Sequence, residues 1–217
     1  MATLLVSSPD IPTLADLLDR LGGVSADRVR YYPLPGTATV ADVIEVHARE
    51  KRLCELVDGV LVEKPMGFWE SILAGAILAA LRDFVLPRKL GKVTGEAGMM
   101  QLIPDLVRMP DVAFIAQDRL PSGQARNEPV PLLAPDLAVE VLSKSNTRAE
   151  IARKRREYFS AGTRLAWIVD PETRTVEVYT SPERPDETLR ADQILSGGNV
   201  LPGFTLDLGR LFAELDD

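Results

Sequence analysis

Histidine and cysteine are nearly missing from this 217-residue chain, which holds one of each, His47 and Cys54. A single cysteine rules out an internal disulfide and leaves no thiolate cluster for a metal, and it fits a reducing compartment. The lone histidine stands among charged neighbours on a predicted helix, where a surface or packing role is the ordinary one. Long apolar runs are also missing: the longest, Ile72 to Leu81, is well short of a bilayer span. MATLLVSSPD has no basic segment leading into an apolar stretch, so the expectation is a cytoplasmic protein with no leader and no membrane contact. Positive charge is in deficit too. Lysine and arginine number 25 against 32 acidic residues, a net charge of −7, so the molecule as a whole repels nucleic acid and anionic membranes. The densest local exception is ARKRRE at 152–157.

What is present is ample for a core, since 46% of the residues are apolar. From Ile11, Leu14, Leu17, Leu18 and Leu21 form one helical stripe that Gly22-Gly23 stops. RYYPLPGTAT is a loop and ATVADVIEVHARE a second helix, and neither carries chemistry. Alternating runs around Asp58-Gly59 predict a hairpin over 54–65, with Glu63 at an exposed strand position. Gly67 to Leu86 is a helix apolar nearly all round, expected to be buried, and Pro87 ends it. Residues 91–116 give two strands turning near Pro104-Asp105, with Glu96 in a Gly-rich turn or bulge. The Pro-rich stretch 117–135 is either a flap over a site or a plain surface excursion. A strand over Leu137–Leu142 leads through Ser143-Lys-Ser-Asn146 into a helix from Thr147 to Ala161, closed by Gly162. A second hairpin over 164–181, with Trp167 and Tyr179 as packing residues, and a short helix near 208–215 complete the chain.

Two acids stand out within this layout. Asp111 is set among Val112, Ala113, Phe114 and Ile115, and alternation puts it on the side of Ala113 and Ile115. Glu140 is in the middle of Leu-Ala-Val-Glu-Val-Leu. An ionised carboxylate inside an apolar strand is costly unless paired, hydrogen-bonded or bound to a metal. Two of them on consecutive strands suggest a shared cation. Glu70, in the first turn of its helix, has the plain alternative of a charge favoured by the helix dipole. Lys154 shares a face with Ile151 and Tyr158, so it interrupts the stripe facing the sheet; its plain alternative is an i,i+4 pair with Glu150.

Taken together, ELVDGVLVEKP with its following helix, RMPDVAFI, PDLAVEVLSKSN, the Glu150–Lys154–Tyr158 helix and AGTRLAWIVDPETRTVEVY resemble the Uma-two family of restriction-endonuclease-like proteins. That family falls in the PD-(D/E)XK nuclease superfamily. The resemblance covers the chain from about Cys54 onward. It implies an α/β fold with a restriction-endonuclease-like mixed central sheet flanked by helices. Residues 1–50 would then be an N-terminal helical extension and 51–217 the nuclease domain. It implies a metal-dependent endonuclease acting on nucleic acid, DNA above RNA, with Mg²⁺ as cofactor and Mn²⁺ as a substitute. Asp111, Glu140 and Glu70 would be the metal ligands and Lys154 the catalytic cation. The sequence departs from the motif at Leu142, where a lysine is standard; Lys154 is the leading replacement and Lys144 the second. The alternative is a catalytically inactive member of the fold, acting as a binding or interaction module, with a homodimer among the partners left open.

Overall fold

The computed structural model describes residues 13–65 and 67–216; the loose start at 1–10 and the first residues of the helix expected from Ile11 lie outside them. Helices α1 (Leu14–Arg20) and α2 (Val40–Glu50) lead into a hairpin of β1 (Cys54–Val57) and β2 (Val60–Glu63). Next come α3 (Phe68–Val85), β3 (Gly91–Gly95), β4 (Met100–Ile103), β5 (Leu106–Arg108) and β6 (Val112–Ala116). They are followed by β7 (Leu137–Val141), α4 (Arg148–Ser160), β8 (Leu165–Asp170) and β9 (Thr175–Tyr179). The last elements are β10 (Glu187–Arg190), β11 (Ile194–Ser196), β12 (Thr205–Asp207) and α5 (Leu208–Ala213).

The fold is α/β. Its central mixed sheet has the order β10-β9-β8-β7-β6-β3, in which β7 and β8 run parallel and the other neighbours antiparallel. Helix α4 is the crossover that a parallel pair requires. A second antiparallel sheet has the order β2-β1-β5-β4, and β11 and β12 form a small ribbon.

Alternation along the central strands separates two cores. Val112, Phe114, Leu137, Val139, Leu165 and Trp167 face one side, where Leu73, Ile77, Leu81 and Val85 of α3 and Leu211 and Phe212 of α5 cover them. The other side carries the smaller Ala113 and Ala138 beside Ile115. That leaves room for α1, the second sheet and Tyr158 of α4. Each fully buried Leu or Ile contributes roughly 1.5–3 kcal/mol, so the α3 stripe alone holds that helix firmly.

The structure corrects two expectations and decides between two readings of a third segment. Helix α3 is not buried all round: its outer face carries the small residues Ser71, Gly75 and Ala79, and Phe68 and Trp69 are 71% and 52% exposed. A helix laid on a sheet hides one stripe, and small outer residues gave it the look of full burial. Residues 91–116 form four strands rather than two. The chain turns out of the central sheet at Gly95–Gly98, makes the β4–β5 hairpin with Asp105 at φ 61°, and returns as β6 after Pro110. The stretch 117–135 is no flap over the cleft described below, to whose walls it contributes no residue. Its end is pinned to β4 instead, where Gln101 N–H donates to Pro131 O and Leu133 N–H to Gln101 O.

Candidate active site

The antiparallel pairing of β6 and β7 brings the start of one strand beside the end of the other. The ladder bulges there: Val112 is the register partner of Val139, yet Asp111 N–H donates to Val139 O at 2.9 Å. The Asp111 carboxylate then takes the Val141 N–H, through Oδ2 at 2.7 Å. Asp111 and Glu140 thereby line one cleft, together with Glu70, Lys64 and Lys154.

Each acid has a cation. Lys64, just after β2, places Nζ 2.8 Å from Asp111 Oδ1 and donates to Met109 O at 2.8 Å. Lys154 does face the sheet: Nζ lies 3.2 Å from both Glu140 Oε2 and Glu55 Oε1. The i,i+4 pair with Glu150 is not made, because Glu150 is taken by Arg28 at 2.6 Å. Tyr158, one turn beyond Lys154, donates its hydroxyl to Glu140 Oε1 at 2.5 Å. Leu142 is half-buried against Ile151, Ala166, Ile168 and Tyr179 and lines a neighbouring hollow, not the cleft. Lys144 is exposed and lines a neighbouring hollow instead of the cleft. Glu70 folds its carboxylate back toward Gly67, where a Cβ would collide with it. Its side chain therefore sits both at the helix N-terminus and on the cleft wall.

Two residues of this constellation escaped the sequence reading. Glu55, in β1 and 1% exposed, accepts from Arg108 Nη1 at 2.6 Å and from Met109 N–H at 3.1 Å. An acid in a hairpin strand is ordinary by pattern, so only its place between Cys54 and Leu56 hinted at burial. Lys64, a single lysine before Pro65, left no signal. The pairs extend outward as a ladder of alternating charge: Glu140–Lys154–Glu55–Arg108–Glu157–Arg153–Asp58–Arg20. Arg155 lies over the Tyr179 ring at 4.0 Å and donates to Pro182 O. Arg153 and Arg155 of the basic run are thus occupied by contacts within the fold.

Burial pushes Glu140 above the ordinary carboxylate value; Lys154 opposes this, and the charges of Asp111 and Glu55 add to it. Burial acts the same way on Glu55, but Lys154, Arg108 and the Met109 N–H outweigh it and hold that acid down at about 2. Burial also works against the charge of Lys154, and Glu140 and Glu55 more than compensate. Burial and the adjoining Glu140 raise the Tyr158 hydroxyl well above its usual range, so it stays a donor.

A pH effect follows. The folded value of Glu55 lies below its unfolded one, so its stabilisation is complete above about 4.5 and is lost as pH falls toward about 2. Denaturant titrations across that window should show stability declining by an amount on the order of a few kcal/mol. The slope should be shallower in Glu55→Gln; an unchanged slope would assign the acid sensitivity to other carboxylates.

The donor set bears on a metal. Among the described residues no three His, Cys, Asp or Glu side chains are grouped closely enough to form a cage. Asp111 and Glu140 nevertheless offer hard carboxylate oxygens on one wall. One or two carboxylates, completed by water and substrate phosphate, is how Mg²⁺ is usually held. The residues fit such an ion.

Comparison with known proteins bears on the family and the fold. A family model described as "Uma2: Putative restriction endonuclease" matches residues 40–209. A solved structure, described as "a putative nuclease belonging to DUF820" from Anabaena variabilis ATCC 29413, is similar with a TM-score of 0.66 and 23% identity. The match covers 76% of this chain and 92% of that one, and at that identity it shows the fold. No curated protein matches the chain. Among the described residues no helix is long and apolar enough to cross a membrane.

Proposed function

The chain belongs to the Uma2 family, described as "Putative restriction endonuclease", and on that premise we propose that it is a metal-dependent endonuclease hydrolysing phosphodiester bonds, with DNA as substrate. The observation that carries the reading is the convergence of Asp111 and Glu140 on one cleft, each with a buried lysine against it. Asp111 and Glu140 would hold Mg²⁺ or Mn²⁺, while Glu70 lines the same cleft without grouping with them as a third ligand. The bound ion would activate a water and offset charge on the scissile phosphate.

The protein's own groups do the positioning. Val141 N–H and Lys64 fix the two oxygens of Asp111, and Tyr158 and Lys154 fix those of Glu140. A carboxylate held at both oxygens loses little freedom when it binds a cation, which is the advantage of preorganisation. Lys154 and Lys64 also set two positive charges beside the place where negative charge would grow, the task given elsewhere to the lysine that Leu142 replaces.

Calorimetric titration with Mn²⁺ and Mg²⁺ tests the site. Wild type is expected to bind and Asp111→Ala/Glu140→Ala is not. Equal binding by both would remove the metal from these residues. No binding by wild type, with or without an oligonucleotide present, would favour the inactive interaction module.

A further inference from the structure

Phe68 and Trp69 carry the two largest side chains in the first turn of α3, and both are open to solvent. Their rings meet edge to face, with centroids 5.2 Å apart. They directly precede Glu70, which with Gly67 forms one wall of the cleft, while Ser143 and Asn146 stand on another. The loop bearing those two residues also carries Lys144, and Arg148 opens α4 just after it; both are exposed. Lys144 lines a hollow that shares Lys64 and Pro65 with the cleft, and Arg148 one that shares Ser143 and Asn146.

Resting on the nuclease reading, we infer that an unpaired nucleobase stacks on Trp69, whose ring Phe68 meets edge to face, while neighbouring phosphates meet Lys144 and Arg148, so that the strand the cleft receives is single-stranded or locally unpaired. Inside a duplex the base faces are already stacked on one another, and only an unpaired base offers a π-face to a protein aromatic. The charge balance favours the same class of ligand. Binding duplex through its backbone alone takes many Lys and Arg contacts, and a chain of net charge −7 with Arg153 and Arg155 engaged internally is poor in them. Stacking supplies affinity without charge, and it tolerates any sequence.

Tryptophan emission tests this directly, because Trp167 is wholly buried and Trp69 is the accessible fluorophore. Full-length protein would be titrated with a short mixed-sequence deoxyoligonucleotide, and with the same sequence as duplex, with Ca²⁺ in place of Mg²⁺. The single strand should quench Trp69 saturably. Trp69→Ala, followed by anisotropy of a labelled strand, should weaken single-strand binding by about tenfold, the scale of one lost stacking contact, and leave duplex binding unchanged. The inference is overturned if Trp69→Ala binds single strand as tightly as wild type, or if duplex quenches Trp69 equally well. It is also overturned if emission changes with protein concentration alone and the mass doubles, for then the aromatic pair joins two copies of the chain. Normal metal binding and cleavage with an indifferent Trp69→Ala variant would remove only the stacking. Loss of both in wild type would remove the nuclease reading with it.

Discussion

Replacing Lys154 with methionine should lower the unfolding free energy by about 3–5 kcal/mol at neutral pH, the cost of leaving a buried charge without its partner. Methionine keeps most of the lysine's bulk, so the loss measures charge more than packing. Of the two acids that Lys154 serves, Glu55 retains Arg108 and the Met109 N–H, whereas Glu140 keeps only the Tyr158 hydroxyl. Glu140 is already above its ordinary value with the lysine in place; without it, the acid moves further up and the folded form holds a proton that the unfolded form releases. Stability from a raised acid is complete below the unfolded value and is lost as pH rises through the folded one. The variant's deficit against wild type should therefore be largest at neutral pH and shrink on acidification. Urea unfolding at several pH values checks this, and Lys154→Met/Glu140→Gln should recover most of the loss. A deficit that stays constant with pH would assign the effect to packing.

Asp111→Asn should separate chemistry from folding. The amide oxygen can still accept the Val141 N–H, so the bulge at the start of β6 survives. Lys64 keeps its bond to Met109 O. Urea unfolding should show a loss of no more than about 3–5 kcal/mol, the cost of leaving the buried Lys64 without its acid, with the protein still folding cooperatively. Cleavage of a nucleic-acid substrate, in contrast, should fall by more than the ~10–100-fold that follows loss of an outer partner to a metal ligand. Full activity in a folded Asp111→Asn protein would move the catalytic centre elsewhere.

Asp111, Glu140 and Lys154 were also the most legible residues in the sequence, for a physical reason. Asp111 and Glu140 stand in runs otherwise fit for a core, and Lys154 breaks the buried stripe of a helix, so each violates a local pattern. Glu55 violates nothing: a hairpin strand alternates, and an acid at its second position could face water. What buries it is Arg108, 53 positions away, in a strand that joins β1 only once the second sheet has formed. Lys64 is hidden for the same reason, since its acceptors on Met109 and Asp111 lie far along the chain. The second sheet itself was missed because the turn at Gly95–Gly98 looks like an irregularity within one strand rather than an exit from the sheet. Local pattern thus yielded strands of the central sheet, α3, α4 and the acids, and the family resemblance their arrangement in one sheet; pairing between distant segments supplied the remainder.

The alternating ladder from Arg20 to Glu140 has a consequence for how this protein can change over time. Each interior member neutralises two neighbours, so reversing one sign sets like charges side by side on both flanks, and deleting one leaves two groups short. Substitutions accepted along the ladder should therefore arrive in compensating sets. A family alignment should show Arg20, Asp58, Arg153 and Glu157 varying together, tied to α4, while single exchanges are confined to residues that touch only one partner. Helix α1 would then inherit constraint from a cleft it never lines, and its charges should drift more slowly than its exposed position suggests.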